Sequence, residues 1–131
     1  MRKALLRAAT LMFIVGSVSG CVVLAAGAVA GASGAVYVKG QLKETVDGTV
    51  PEVHRAAQSA LHEIGVGLTV DKQDEFSGQL QGEMAKGQNV WVDVERVTAS
   101  TTRIVIRVGY MGDQPKSADI LERVKRNLYG L

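Results

Sequence analysis

Asn89-Val-Trp-Val-Asp-Val-Glu-Arg-Val97 and Arg103-Ile-Val-Ile-Arg-Val108 decide the fold. In the first, Val90, Val92 and Val94 alternate with Trp91, Asp93 and Glu95; in the second, Ile104, Ile106 and Val108 alternate with Arg103 and Arg107. A period of two puts one set of side chains on a dry face and the other on a wet one. Ala99-Ser100-Thr101 supplies the polar turn between them, so the pair reads as an antiparallel hairpin with one face to bury.

Working outward, Leu68 to Val70 and Ser77 to Met84 read as two further strands, punctuated near Asp74 and at Gly87. Upstream, Val36, Val38 and Leu42 alternate with Tyr37, Lys39, Gln41 and Lys43, which reads as one first strand with a dry and a wet side. Asp47-Gly48 turns the chain, and Thr49-Val-Pro-Glu52 has the form of a capping box with proline in the first helical turn. Val53, Ala56, Ala57, Ala60, Leu61 and Ile64 follow at helical spacing, and Gly65 ends the helix. After Gly109-Tyr-Met-Gly112, a second helix near Gln114 to Leu128 carries Ile120, Leu121, Val124 and Leu128 on one stripe. Arg123, Lys125 and Arg126 lie in its later turns, where the helix dipole favours cations. Helices and strands that are apolar on one side only pack most economically as two layers. The expectation is an α+β sandwich of about five mainly antiparallel strands with two helices on one face, in the order strand, helix, four strands, helix.

The N-terminal part has a different character. From Ala8 to Val38 there is neither charge nor proline. One straight helix of that length would run roughly 46 Å, against a hydrocarbon core of about 30 Å. Two pieces fit better. Arg2, Lys3 and Arg7 precede a short apolar stretch, Ala8 to Val15, and small residues follow at Gly16, Ser17, Ser19 and Gly20, the pattern of an export signal. Val18-Ser19-Gly20-Cys21 then resembles a bacterial lipobox: an aliphatic residue, two small ones, and the cysteine to be acylated. Small neighbours leave the thiol open to a diacylglyceryl group and the preceding bond open to a peptidase. Each buried methylene contributes about 0.8 kcal/mol, so two or three chains anchor stably where one does not. The lipobox implies attachment of Cys21 to membrane lipid, with Val18, Ser19 and Gly20 as the cleavage motif. The ordinary alternative is a small apolar residue within a spanning helix. In lipoproteins of enteric-type bacteria an aspartate after the cysteine retains the protein at the inner membrane; Val22 stands here, which favours the outer membrane of a diderm cell.

Residues 22–36, VVLAAGAVAGASGAV, contain Gly27 and Gly31 four apart beside Ala26 and Ala30. That spacing suits helices packing in lipid, and it equally suits a compositionally simple tether. The division expected is a signal peptide over 1–20, a lipid-anchored tether or membrane-proximal helix over 21–36, and a small α+β domain over 37–131. The alternative is a single-span protein with an uncleaved helix that self-associates through Gly27 and Gly31.

The lipobox, Tyr37-Val-Lys-Gly-Gln-Leu42, the Val53 to Ile64 helix, and Arg107-Val-Gly-Tyr-Met-Gly-Asp113 before Ile120-Leu-Glu-Arg-Val124 resemble a domain-of-unknown-function family of small bacterial lipoproteins. The resemblance spans nearly the whole chain, through turns and stripes rather than chemistry. It implies an exported, membrane-tethered α+β domain facing the periplasm and brings no catalytic residues with it.

Composition narrows the function classes further. At 131 residues the chain has room for one ordinary domain, and one cysteine excludes an internal disulfide framework and a four-cysteine zinc site. The formal charge is +2, yet three of the 15 basic residues lie in the leader and all 13 acidic residues follow it. Beyond the leader the balance is slightly acidic, which removes support for nucleic-acid binding by bulk charge. His62-Glu63-Ile64-Gly65-Val66 begins like a zincin helix but has valine where the second histidine must stand. His54 and His62 are eight apart, about 80° around a helix, and read as solvated polar-face residues. No serine occupies a G-x-S-x-G elbow, and Asp93 and Glu95 stand opposite arginines, which suggests cross-strand pairing rather than acid–base work. The chain is therefore expected not to be an enzyme and to need no cofactor or metal. The remaining constellation is the wet sheet face, where Tyr37, Lys39, Trp91, Asp93, Arg103 and Arg107 are expected to point away from the helices. Aromatic and arginine side chains make good interface anchors, so this is the candidate surface for an envelope partner or self-association, weighed against a plain solvated face.

Overall fold

A computed structural model describes residues 34–131. Six strands and two helices follow one another: β1 (Val36–Val38), β2 (Gln41–Asp47), α1 (Val50–Glu63), β3 (Gly67–Gln73), β4 (Ser77–Glu83), β5 (Asn89–Arg96), β6 (Thr101–Val108) and α2 (Gln114–Tyr129). The strands form one antiparallel sheet in the order β1-β2-β6-β5-β4-β3. The fold is α+β. Among the described residues no helix is long and apolar enough to cross a membrane.

The count and order of strands correct the expectation, because the first strand is a hairpin. Lys39 and Gly40 both have positive φ, 52° and 78°, the backbone of a two-residue primed turn. Val36, Tyr37 and Val38 therefore fold back on Lys43, Leu42 and Gln41. Glycine is required at the turn: a Cβ on Gly40 would lie 2.8 Å from the Met111 carbonyl oxygen. The reversal also changes sides. Tyr37 stands opposite Leu42, and directly paired residues share a face. It packs against the core, while Val36 and Val38 go to the wet side with Lys43 and Gln41.

Both helices cover one face of the sheet. Leu42 and Val46 on β2, Ile104, Ile106 and Val108 on β6, Val90, Val92 and Val94 on β5 and Leu80 on β4 are all buried there. They meet Val50, Val53, Ala57, Ala60 and Leu61 of α1 and Ile120, Leu121 and Val124 of α2. Helix α1 begins at Thr49, whose backbone N–H donates to Glu52 at 2.8 Å, and Gly65 leaves it with φ 75°. Helix α2 begins at Asp113, whose carboxylate accepts the Lys116 N–H at 3.1 Å, and ends at Gly130 in the left-handed region.

Strand β4 lets α1 approach closely. On its inner face only Leu80 has bulk, flanked by Gly78 and Gly82. A Cβ on Gly82 would lie 2.4 Å from Val66 Cγ1 and 2.6 Å from the Gly67 carbonyl oxygen. One on Gly78 would meet His54 Nδ1 at 2.5 Å. His54 fills this space and is only 2% exposed, which corrects its reading as a solvated residue; His62 is exposed. The His54 Nε2–H donates to Asp71 on β3 at 2.7 Å, and Gln58 bonds the same carboxylate. The His54 bond holds the Asp71 carboxyl below its usual range.

Candidate partner interface on the uncovered sheet face

Among the described residues no helix covers the other face. Strand pairing arranges its side chains in rows across the sheet, because residues opposite one another in register point the same way. One row runs from Val38 through Gln41, Arg107, Trp91 and Gln81 to Val70. The next runs from Val36 through Lys43, Val105, Asp93 and Gln79 to Lys72. A third contains Thr45, Arg103, Glu95 and Ser77.

Of the residues expected on this face, Trp91, Asp93, Arg103 and Arg107 lie there together. Tyr37 does not, for the reason given by its hairpin. Lys39 belongs to the turn rather than to either face, and its carbonyl accepts from Arg107 Nη2 at 3.1 Å. That bond fixes the guanidinium across the sheet. Arg107 Nε, although buried, has no hydrogen-bond partner among the described residues. Gln41, Trp91, Asp93, Val105 and Arg107 surround a shallow depression of about 200 Å³. Trp91 is backed by Tyr110, with ring centroids 5.6 Å apart and planes tilted by 57°. Tyr110 and Met111 project from the β6–α2 loop, 79% and 93% exposed.

Asp93 and Glu95 differ, which refines the expected cross-strand pairing. Glu95 sits 3.7 Å from Arg103, an exposed ion pair of small worth. Asp93 stands opposite Val105 and is bonded by Gln79; burial pushes its carboxyl up from the ordinary value, with the Gln79 bond opposing. Asp93 also borders a wider trough of about 520 Å³ over β3, β4 and β5, with Lys72, Asp74, Ser77, Gln79 and Glu95 on its walls. Among the described residues no three His, Cys, Asp or Glu side chains converge on one point. The face offers flat aromatic and aliphatic contact area, a fixed guanidinium and a partly desolvated carboxyl. Those are the means of recognition by contact.

The end of α2 is more committed than its charge suggests. Arg123 pairs with Asp119 at 3.0 Å and Glu63 at 3.3 Å, and Lys125 pairs with Glu44 of β2 at 2.6 Å. These two cations join α2 to α1 and to the sheet. Cys21 and its motif Val18, Ser19 and Gly20, together with Gly27 and Gly31, lie outside the described residues.

Sequence reasoning missed Val38 and Val105 as members of the face. Val38 was findable from the Lys39-Gly40 pair, which sits between two alternating segments as a two-residue turn does. Val105 has the right parity in its strand but is masked by its apolar neighbours.

No curated protein matches the sequence. Among solved structures, the chain is similar to a conserved protein from Geobacillus kaustophilus at 11% identity and a TM-score of 0.39, over 69% of this chain and 94% of that one. A family profile, described as Protein of unknown function (DUF3568), matches residues 3–127, and the chain belongs to that family.

Proposed function

We propose that the protein is a cell-envelope lipoprotein, anchored through acylated Cys21, whose uncovered sheet face docks a partner without catalysis. The anchoring rests on the lipobox behind a basic leader and a short apolar stretch. The docking role rests on one observation above the rest. Trp91 and the guanidinium of Arg107, held by the Lys39 carbonyl, line a depression on the face that both helices leave free. An aromatic ring beside a guanidinium held in one place is the kind of side-chain pair that anchors an interface.

Mass spectrometry of the N-terminus from the native membrane tests the anchor. A lipid-modified Cys21 is expected; an intact Met1 would instead favour the uncleaved helix that associates through Gly27 and Gly31. Photo-crosslinkers placed at Gln81 on the uncovered face and at Ser59 on the outer side of α1 test the docking surface in intact cells. Adducts are expected from position 81 and not from 59; the reverse pattern, or none from either, contradicts the assignment.

A further inference from the structure

We propose that the uncovered face is closed by a second copy of this chain, stacked sheet to sheet about a two-fold axis that runs parallel to the strands between β5 and β6. The inference rests on reading this face as a docking surface and adds the occupant.

Charge is divided across the sheet. On the half made by β2 and β6 the uncovered face carries Lys43, Arg103 and Arg107; on the half made by β5 and β4 it carries Asp93, Glu95 and Glu83. Asp47 at the end of β2 and Lys72 on the edge strand β3 are the exceptions. The sheet order places three strands on each side of the β6–β5 boundary. An axis along that boundary exchanges the halves, so each basic half lies over the acidic half of the other copy. A two-fold axis at right angles to the strands would stack like charge on like.

The rows then meet in register. Strand β6 of one copy lies over β5 of the other, which brings Arg107 to the second copy's Trp91 and Arg103 to the second copy's Glu95. A guanidinium over an indole is a favourable pairing, and the Arg103 contact joins two exposed ion pairs into a network of four charges. Strand β1 lies over β3 of the second copy, so that Val38 meets Val70. Aligned sheets pack about 10 Å apart with strands some 30° from parallel, close enough for these side chains to touch.

Size agrees. Six strands spaced about 4.8 Å apart and roughly seven residues tall present on the order of 650 Å² in projection. Side-chain relief raises the accessible area, and a standard interface buries about 800 Å² per partner. The axis also leaves Gly34, the first described residue, at the same height in both copies, so the acylated Cys21 of each can enter one membrane.

Sedimentation of the full chain in density-matched detergent tests this. The wild type is expected to be a dimer. Arg103→Glu alone and Glu95→Arg alone should each weaken it about a hundredfold, because two like-charge contacts replace two attractive ones. An equimolar mixture of the two variants should recover the dimer, since every contact across the axis is again between opposite charges; the repulsion within each chain remains, so recovery cannot come from refolding. Trp91→Ala should dissociate the dimer and melt together with the dissociated Arg103→Glu variant, the wild type lying about a few degrees above both because dimerisation is linked to folding. A monomeric wild type, indifference to the charge reversals, or no recovery on mixing overturns the proposal. So does a dimer lost on Gly27→Leu with Gly31→Leu but kept in the reversed variants, which assigns association to the 21–36 segment. A monomer whose position 81 still forms adducts in cells would refute the second copy while sparing the docking surface.

Discussion

The two faces of the sheet are built from the same strands, residue by alternate residue, and differ in nearly every physical respect. The helix-covered face is dry, with Ile104, Ile106, Val92 and Leu80 fully enclosed, and its few polar side chains are bonded through some of their atoms, while Glu44 Oε2, His54 Nδ1 and Ser117 Oγ have no partner among the described residues. Glu44 meets Lys125 at 2.6 Å and His54 meets Asp71 at 2.7 Å. The uncovered face mixes Trp91, Val105 and Val38 with charges that are loosely paired or, like Asp93, held by a single amide. Stability is stored on the first face, which leaves the second free for contact.

The largest contrast should appear between neighbours on β6. Ile106→Ala is expected to cost about 2–5 kcal/mol in chemical denaturation, and Val105→Ala, one residue away, less than about 1 kcal/mol. Gly82→Ala should follow, at about 2–3 kcal/mol, because its Cβ meets the Gly67 backbone rather than a side chain that can move. Lys125→Ala comes next, at roughly 2 kcal/mol, by stranding a carboxylate that is 8% exposed. Lys125→Met with Glu44→Leu should recover most of that loss, since a buried ion pair of matched volume is replaceable by apolar packing.

Acid titration separates the faces by sign. The folded-state carboxyl of Asp71 is depressed by its His54 bond, so its contribution is present above the unfolded value near pH 4 and is lost as pH falls through the folded one. Asp71→Asn should flatten the acid limb of stability against pH. Asp93 runs the other way. Its carboxyl is raised by burial, so ionising it works against the fold as pH rises through the folded value. Asp93→Asn should stabilise slightly at neutral pH, with the gain vanishing in acid. If both variants shift the profile the same way, the difference between the faces is not electrostatic.

The parts of the fold legible in the sequence are those where periodicity and chemistry agree. Strands β5 and β6 alternate cleanly, Thr49 and Glu52 mark the start of α1, and Ile120, Leu121 and Val124 mark the buried side of α2. The hairpin of β1 and β2 was hidden because folding at Lys39-Gly40 preserves an apparent alternation through the turn while reversing which residues face inward. That single reversal misplaced Tyr37 and concealed Val38. His54 escaped for a different reason: its burial depends on Gly78, 24 positions away, having no side chain. Local pattern carries no trace of a space that a distant strand leaves. Of the candidate face, Trp91, Arg103 and Arg107 were legible from parity alone, whereas the Arg107 bond to the Lys39 carbonyl and the partial desolvation of the Asp93 carboxyl exist only once the strands are in register.

Trp91 and Val92 are consecutive residues on opposite faces of β5, and together they test the division of labour most directly. The measurement is the melting temperature of the full chain alongside crosslinking from position 81 in cells, for Trp91→Ala and Val92→Ala. Trp91→Ala should abolish crosslinking while melting within a few degrees of the wild type. Val92→Ala should lose about 2 kcal/mol, roughly 8–16 °C for a domain this size, yet crosslink normally below its transition. A Trp91→Ala variant that melts as early as Val92→Ala would contradict the account, because the uncovered face would then be holding the fold rather than meeting a partner.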